Sequence, residues 1–203
     1  SGKSTLTQLI PRFYDVAAGR ITVNGLDVQA WDLAALRHQI AFVPQTAVLF
    51  HGTIRENLQW GKADATDEGC FQALETAQCR EFVEKLPEGL DTMVMENGKN
   101  FSGGQRQRLT IARALIRKPH LLILDDSLSA LDYQTDLDLR QALARDLDSA
   151  MIIISQRVRS IQQAKEILVL DSGRLVGKGT HEALLLSSPE YQAIVASQEE
   201  EHD

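Results

Sequence analysis

The sequence predicts an α/β fold with a mostly parallel sheet and a helical insert. Three observations carry the prediction. Short β-type runs alternate with helical patterns from one end to the other, the later runs are apolar on every residue, and between Thr53 and Leu86 the pattern turns to helix alone. Size and composition agree: the 203 residues are 43% hydrophobic and 24% charged, the balance of one globular domain. A chain of this length buries about 70% of its unfolded surface, so no disulfide or metal staple is needed for a core.

Residues 20–23, 40–43, 121–124, 151–154 and 167–170 read as strands. The last three are apolar on successive residues, which suits strands covered on both faces, so they are expected at the centre of the parallel sheet. Asn24-Gly25 and Ser172-Gly173 are hairpin-type turn signals and predict small antiparallel pieces beside it. In the helical stretch, Thr53-Ile54-Arg55-Glu56 reads as a capping box, and Phe71, Leu74 and Ala77 recur at helical spacing. Residues 199–203 read as a frayed acidic tail.

With 21 basic and 28 acidic residues the net charge is −7, which argues against broad nucleic-acid binding. The longest apolar runs, 150–154 and 183–186, fall far short of the roughly 20 residues a membrane-spanning helix needs. Cys70 and Cys79 on one continuous helix would point to opposite faces, out of disulfide reach, and read as reduced, cytosolic thiols. The chain starts at Ser1 with neither a basic n-region nor an apolar h-region, so no signal peptide is read and a longer parent chain is expected.

Three motifs carry chemistry. Ser1-Gly2-Lys3-Ser4-Thr5 matches the end of the phosphate-cradling loop G-x-x-x-x-G-K-[ST], whose backbone N–H groups and lysine hold phosphates and whose hydroxyl holds Mg²⁺. A common surface tetrapeptide is the plainer account. Leu121-Leu122-Ile123-Leu124-Asp125-Asp126 is an apolar strand delivering carboxylates at its C-terminal end, where open α/β sheets bind ligands. Asp125 is placed to act on Mg²⁺ through a water and Asp126 to face an attacking water; a helix-capping pair is the alternative. The third motif is Phe101-Ser102-Gly103-Gly104-Gln105-Arg106-Gln107-Arg108. Two glycines opening a helix are locally costly, yet they let backbone amides approach an anion closely. A Ser102/Gln105 capping box with arginines solvating the outer face is the plainer account, and it leaves Gly-Gly unexplained.

In this order the residues resemble the nucleotide-binding domain of ABC transporters, and the resemblance covers nearly the whole chain. Ser1 to Thr5 look like the end of Walker A, with about four positions of the loop upstream. Gln45 in Val43-Pro44-Gln45 looks like the Q-loop glutamine, Ser102 to Gln105 like the signature, Leu121 to Asp125 like Walker B, and Ser129-Ala130-Leu131-Asp132 like the D-loop. The resemblance implies a P-loop NTPase core, residues 1–45 and 119–203, with a helical subdomain at about 46–118 carrying the signature, all in one domain over 1–203 that lacks its N-terminal part.

It further implies ATP and Mg²⁺ as cofactors, with nucleotide contacts from Ser1, Gly2, Lys3, Ser4, Thr5, Gln45 and Asp125. Metal contacts fall to Ser4, Gln45 and Asp125, and catalytic roles to Asp126, Gln156 and Gln45. The family works as head-to-tail dimers, so Ser102, Gly103, Gly104 and Gln105 are expected to act on the ATP of a second nucleotide-binding domain. Residues 49–57 and Glu96-Asn97-Gly98 resemble the Q-loop extension and X-loop of exporters. Gln45 and Glu96 are then expected to meet coupling helices of a transmembrane domain fused upstream, which places the chain at the cytoplasmic face of the cell membrane. A solvated loop carboxylate is the other account of Glu96.

Two positions depart from the family pattern: Asp126 stands where Glu is usual, and Gln156 replaces the switch histidine. Asp is one methylene shorter, and a misplacement of about 1 Å costs on the order of a hundredfold in rate. Gln can hydrogen-bond a γ-phosphate but cannot become cationic or relay a proton. These departures point to the degenerate half of a heterodimeric bacterial exporter, often of the multidrug type, whose other chain carries Glu and His. The alternatives are a homodimeric exporter with slow hydrolysis and a non-transport ABC ATPase, a class that usually carries coiled-coil insertions or basic arms. A regulatory module that only holds ATP is a further alternative, against which the retained signature and D-loop speak.

Overall fold

Local chemistry sets the elements in each of two units, Ser1–Leu33 with Ile153–Asp203, and Ala34–Ile152. The computed structural model describes residues 2–199. Helix α1 (Lys3–Gln8) follows Gly2, whose φ of 86° is a left-handed value that glycine adopts without strain. Strands β1 (Thr22–Val23) and β2 (Leu26–Asp27) form the first predicted hairpin, in register Val23↔Leu26. Asn24 and Gly25 both have positive φ, 51° and 78°, as a two-residue type I′ turn requires. Of the predicted 20–23 run only Thr22 and Val23 are strand, and the Ile21 carbonyl still accepts from the Val28 N–H at 2.9 Å.

In the second unit α2 (Leu33–Gln39) leads into β3 (Ile40–Val43). The helical stretch holds α3 (Ile54–Gln59), α4 (Asp67–Thr76) and α5 (Arg80–Glu84), bracketed by a two-residue antiparallel pair of β4 (Gly52–Thr53) with β5 (Met93–Val94). The Thr53/Glu56 capping box is present in full. Cys70 lies within α4 and Cys79 caps α5, so they do not share one continuous helix; Gln78, at φ 58°, breaks it. Both are buried free thiols, and burial pushes the Cys79 thiol far up from its ordinary range.

Helix α6 (Gly103–Leu115), strand β6 (Leu121–Asp125), helix α7 (Tyr133–Asp146) and strand β7 (Ala150–Ile154) complete this unit, whose boundary falls inside β7. β3 pairs with β6 in parallel, from Ile40↔Leu121 to Val43↔Leu124, and β7 lies on the other side of β6. Leu122, Ile123 and Leu124 are fully buried, as a central strand covered on both faces demands.

The rest of the first unit is α8 (Val158–Ile161), β8 (Ile167–Asp171), β9 (Arg174–Gly179), α9 (His181–Ser187) and α10 (Pro189–Glu199). Here the sequence expectation needs correction. β8 is not in the parallel sheet; it pairs with β9 antiparallel across the predicted Ser172-Gly173 turn, whose φ values are 48° and 77°. Burial alternates along it, with Ile167 and Val169 inside and Leu168 49% exposed. β7 is only half-covered at Met151–Ile153. Of the three runs expected at the centre only β6 is covered on both faces, and the described strands combine a three-stranded sheet, in which β3 and β6 run parallel, with three antiparallel two-stranded pieces. Val158, Ile167, Val169, Leu184 and Tyr191 form one apolar cluster joining α8, β8, α9 and α10. The predicted acidic tail starts on the last residue of α10 and otherwise lies outside the described residues, as does Ser1.

Candidate functional site

The parallel register of β3 and β6 decides what stands at their C-terminal ends. Val43 faces Leu124, so two residues further on Gln45 and Asp126 emerge side by side, and the Gln45 Nε2 donates to Asp126 Oδ2 at 2.8 Å. Asp125, the last residue of β6, is buried. Asp126 is half-buried and turns the chain with φ 49°, a left-handed value that aspartate tolerates better than most residues. The hydroxyl and N–H of Ser129 both donate to the Asp126 carbonyl, at 2.7 and 3.3 Å, and pin that turn.

Neither Asp125 nor Asp126 caps the following helix. That task falls to Asp132, whose carboxylate accepts from the N–H and hydroxyl of Thr135 at 3.0 and 2.7 Å. The Thr135 N–H, followed by its hydroxyl, holds the Asp132 carboxyl below the usual carboxylate range. The helix-cap alternative for the aspartate pair is thereby replaced: their geometry serves the strand end.

The Ser102/Gln105 capping box is real. Ser102 Oγ accepts from Gln105 N–H at 3.2 Å, and Gln105 Oε1 accepts from Ser102 N–H at 2.9 Å. It does not account for the glycines. A Cβ at Gly103 would meet nothing nearer than Arg106 Nη2 at 4.0 Å, and one at Gly104 would stand 3.6 Å from the Ala130 carbonyl and Leu131 Cδ2, an ordinary contact. Neither glycine has a positive φ. Packing thus allows side chains at both positions. Gly104 also sets this end of α6 against Ala130 and Leu131.

The arginines after the glycines do more than solvate an outer face. Arg106 Nη1 donates to the carbonyls of Phe101 and Gly98 at 2.7 and 3.5 Å, and Arg108 Nη1 to Gln78 at 2.5 Å. Gln107, only 1% exposed, reaches the Pro44 carbonyl at 3.4 Å, and Arg113 reaches that of Val48 at 2.8 Å. Asn57 brackets Phe50, accepting from its N–H at 2.9 Å and donating to its carbonyl at 2.8 Å. The segment carrying Gln45 is therefore laced to α6 and α3 by residues that sequence reasoning missed. Their one signal was a cluster of long polar donors on an otherwise apolar helix, beside loops whose carbonyls need partners.

Glu96 is exposed at the start of a 3-10 turn, Glu96–Gly98, in which Asn97 and Gly98 have φ 57° and 66°. The φ of 66° at Gly98 strains any side chain there, and a Cβ would also lie 2.8 Å from Arg106 Cδ.

The first unit holds the other predicted residues. Lys3 is half-buried, and Ser4 and Thr5 exposed, in the first turn of α1; Ser1 lies outside the described residues. Thr7 Oγ1 donates to the Ser4 carbonyl at 3.1 Å. Gln156 is exposed between β7 and α8. Among the described residues no group of three or more His, Cys, Asp or Glu side chains gathers to hold a metal.

The ABC transporter family model matches residues 1–129. The chain is 48% identical over 198 residues to the uncharacterised ABC transporter ATP-binding protein YfiB of Bacillus subtilis, covering 98% of this chain and 34% of that protein. It is 42% identical over 194 residues to the ATP-dependent lipid A-core flippase of Desulfotalea psychrophila, covering 95% of this chain and again 34% of the relative. A bacterial Atm1-family ABC exporter solved with ATP bound superposes with a TM-score of 0.93 at 38% identity, over 97% of this chain and 35% of the exporter. The chain thus spans about a third of the length of the relatives it matches. Family model, relatives and fold coincide: this chain belongs to the ABC transporter family and has the fold of that family's ATP-binding, ATP-hydrolysing domain.

Proposed function

We propose that the chain is the ATPase domain of an exporter and works as one of a pair of such domains. The observation that carries the catalytic part is the Gln45–Asp126 hydrogen bond at the C-terminal ends of two parallel strands, where open α/β sheets bind ligands. On this reading Ser1, Gly2, Lys3, Ser4 and Thr5 receive the ATP phosphates, and Mg²⁺ would be held by Ser4, Gln45 and Asp125. Bound Mg²⁺ supplies neutralisation of phosphate charge. Asp126 orients the attacking water, with Gln45 fixing its carboxylate, and Gln156 hydrogen-bonds the γ-phosphate. Ser102, Gly103, Gly104 and Gln105 close over the ATP of the other domain, and Ser129, Ala130, Leu131 and Asp132 form the adjoining contact. The core at 1–45 and 119–203 and the helical subdomain at 46–118 divide these tasks.

The exporter assignment draws support from the likeness to the Atm1-family exporter and to lipid A-core flippases. No helix among the described residues is long and apolar enough to cross a membrane, so the proposal places the crossing in a fused transmembrane domain. Its coupling helices reach Gln45 and Glu96 and hold the chain at the cytoplasmic face of the membrane. Nucleic acid has no role in this reading.

The comparisons fit a homodimeric exporter with slow hydrolysis better than the degenerate half of a heterodimer, and we adopt the homodimer. Asp126 and Gln156 favour the heterodimer as the second reading. Lys3→Ala in the intact parent protein tests the core of the proposal: ATP turnover is expected to vanish with the melting temperature unchanged. Turnover that survives would place ATP hydrolysis elsewhere.

A further inference from the structure

Helix α8 begins without a local cap: its N-cap residue, Arg157, makes no side-chain hydrogen bond to it. The buried Val158 N–H instead donates to Gln198 Oε1 at 2.9 Å, from near the far end of α10, and the same amide's Nε2 donates to the Gln156 carbonyl. A carboxamide accepts through its oxygen and donates through its nitrogen, so one side chain serves both backbone groups. The N–H of Arg157, between the two bonded groups, is taken by Ser155 Oγ at 2.9 Å. These hydrogen bonds hold the backbone, while the Gln156 side chain is exposed. α10 in turn is anchored by the buried Tyr191, whose hydroxyl meets His181 Nδ1 at 2.9 Å, with Val195 packed on the same apolar cluster as Val158.

We propose that Gln198 is a positioning residue for the ATPase reaction, holding the backbone that aims Gln156. Removing it frees the loop at two points and leaves a buried N–H without its partner. The inference rests on the proposed role of Gln156 at the γ-phosphate, and it makes α10 part of the support of the ATPase site.

The test is a double-mutant cycle on the intact parent protein, reading kcat, KM for ATP and melting temperature. Gln198→Ala is expected to lower kcat by about two- to tenfold, the worth of one or two lost hydrogen bonds, with KM changed less than about twofold. Gln198→Glu, nearly the same shape, keeps the acceptor for Val158 N–H but sets a carboxylate against the Gln156 carbonyl, and should lower kcat similarly without unfolding the chain. In a Gln156→Ala background, Gln198→Ala should have no further effect. If Gln156→Ala slows turnover but the Gln198 effect multiplies with it, or Gln198→Ala changes nothing, the positioning proposal falls while the ATPase reading stands. If Gln156→Ala leaves turnover intact, the reading of Gln156 falls and takes the proposal with it.

Discussion

Replacing Gly103 with alanine separates a glycine kept for the fold from one kept for a ligand. The site is geometrically permissive: the added methyl would find only Arg106 Nη2, 4.0 Å away, and the backbone there has no positive φ. Within a helix glycine is about 0.5–1 kcal/mol less favourable than alanine. Unfolding free energy should therefore stay constant or rise by up to about 1 kcal/mol, with Ser102 and Gln105 still capping the helix. ATP turnover should move the other way. On the proposed reading the methyl stands where the phosphate approaches the start of α6, and losing such a contact costs on the order of a hundredfold or more. Chemical unfolding and steady-state ATP turnover of the intact parent protein measure both quantities. A variant destabilised by more than about 1 kcal/mol would show a glycine needed by the fold, and normal turnover at normal stability would show that nothing approaches there.

Asp126→Glu combined with Gln156→His should raise ATP turnover by about tenfold or more, since the longer carboxylate regains about 1 Å of reach and the imidazole regains a titratable group; unchanged turnover in a folded dimer would refute the water-orienting role. Gly61→Ala should cost about 2–3 kcal/mol in denaturant unfolding, because its Cβ would run into the Arg113 carbonyl of α6. The Asp132 cap has a pH signature. Its folded pKa is depressed, chiefly by the Thr135 N–H, so its contribution is complete above the ordinary aspartate value near 4 and fades as pH falls through the lower folded value. A stability-against-pH profile of Asp132→Ala should lack that acid limb.

The features legible in advance were those set by local chemistry. Both two-residue turns lie where Asn24-Gly25 and Ser172-Gly173 put them, because type I′ turns need positive φ twice in a row. Both capping boxes formed because Thr53/Glu56 and Ser102/Gln105, three residues apart, exchange side-chain-to-backbone hydrogen bonds. β6 was legible as a covered central strand; β8 was not, because an apolar run does not reveal whether its neighbour is a distant parallel strand or the next segment after a turn. The nearness of Gln45 and Asp126, 81 residues apart in the chain, follows from strand register, which no single run encodes. The polar lacing by Arg106, Gln107 and Arg113 was hidden for a related reason: long donors seek whichever carbonyls the tertiary fold leaves bare, and only the folded chain shows which those are.

Steady-state ATP turnover of the intact parent protein, purified as a single chain type, tests the central claim most directly. The account predicts slow but measurable turnover that rises in the Asp126→Glu variant. Negligible turnover alone, with strong turnover once a second, Glu- and His-bearing chain is added, would contradict the homodimer and establish the degenerate-half reading in its place.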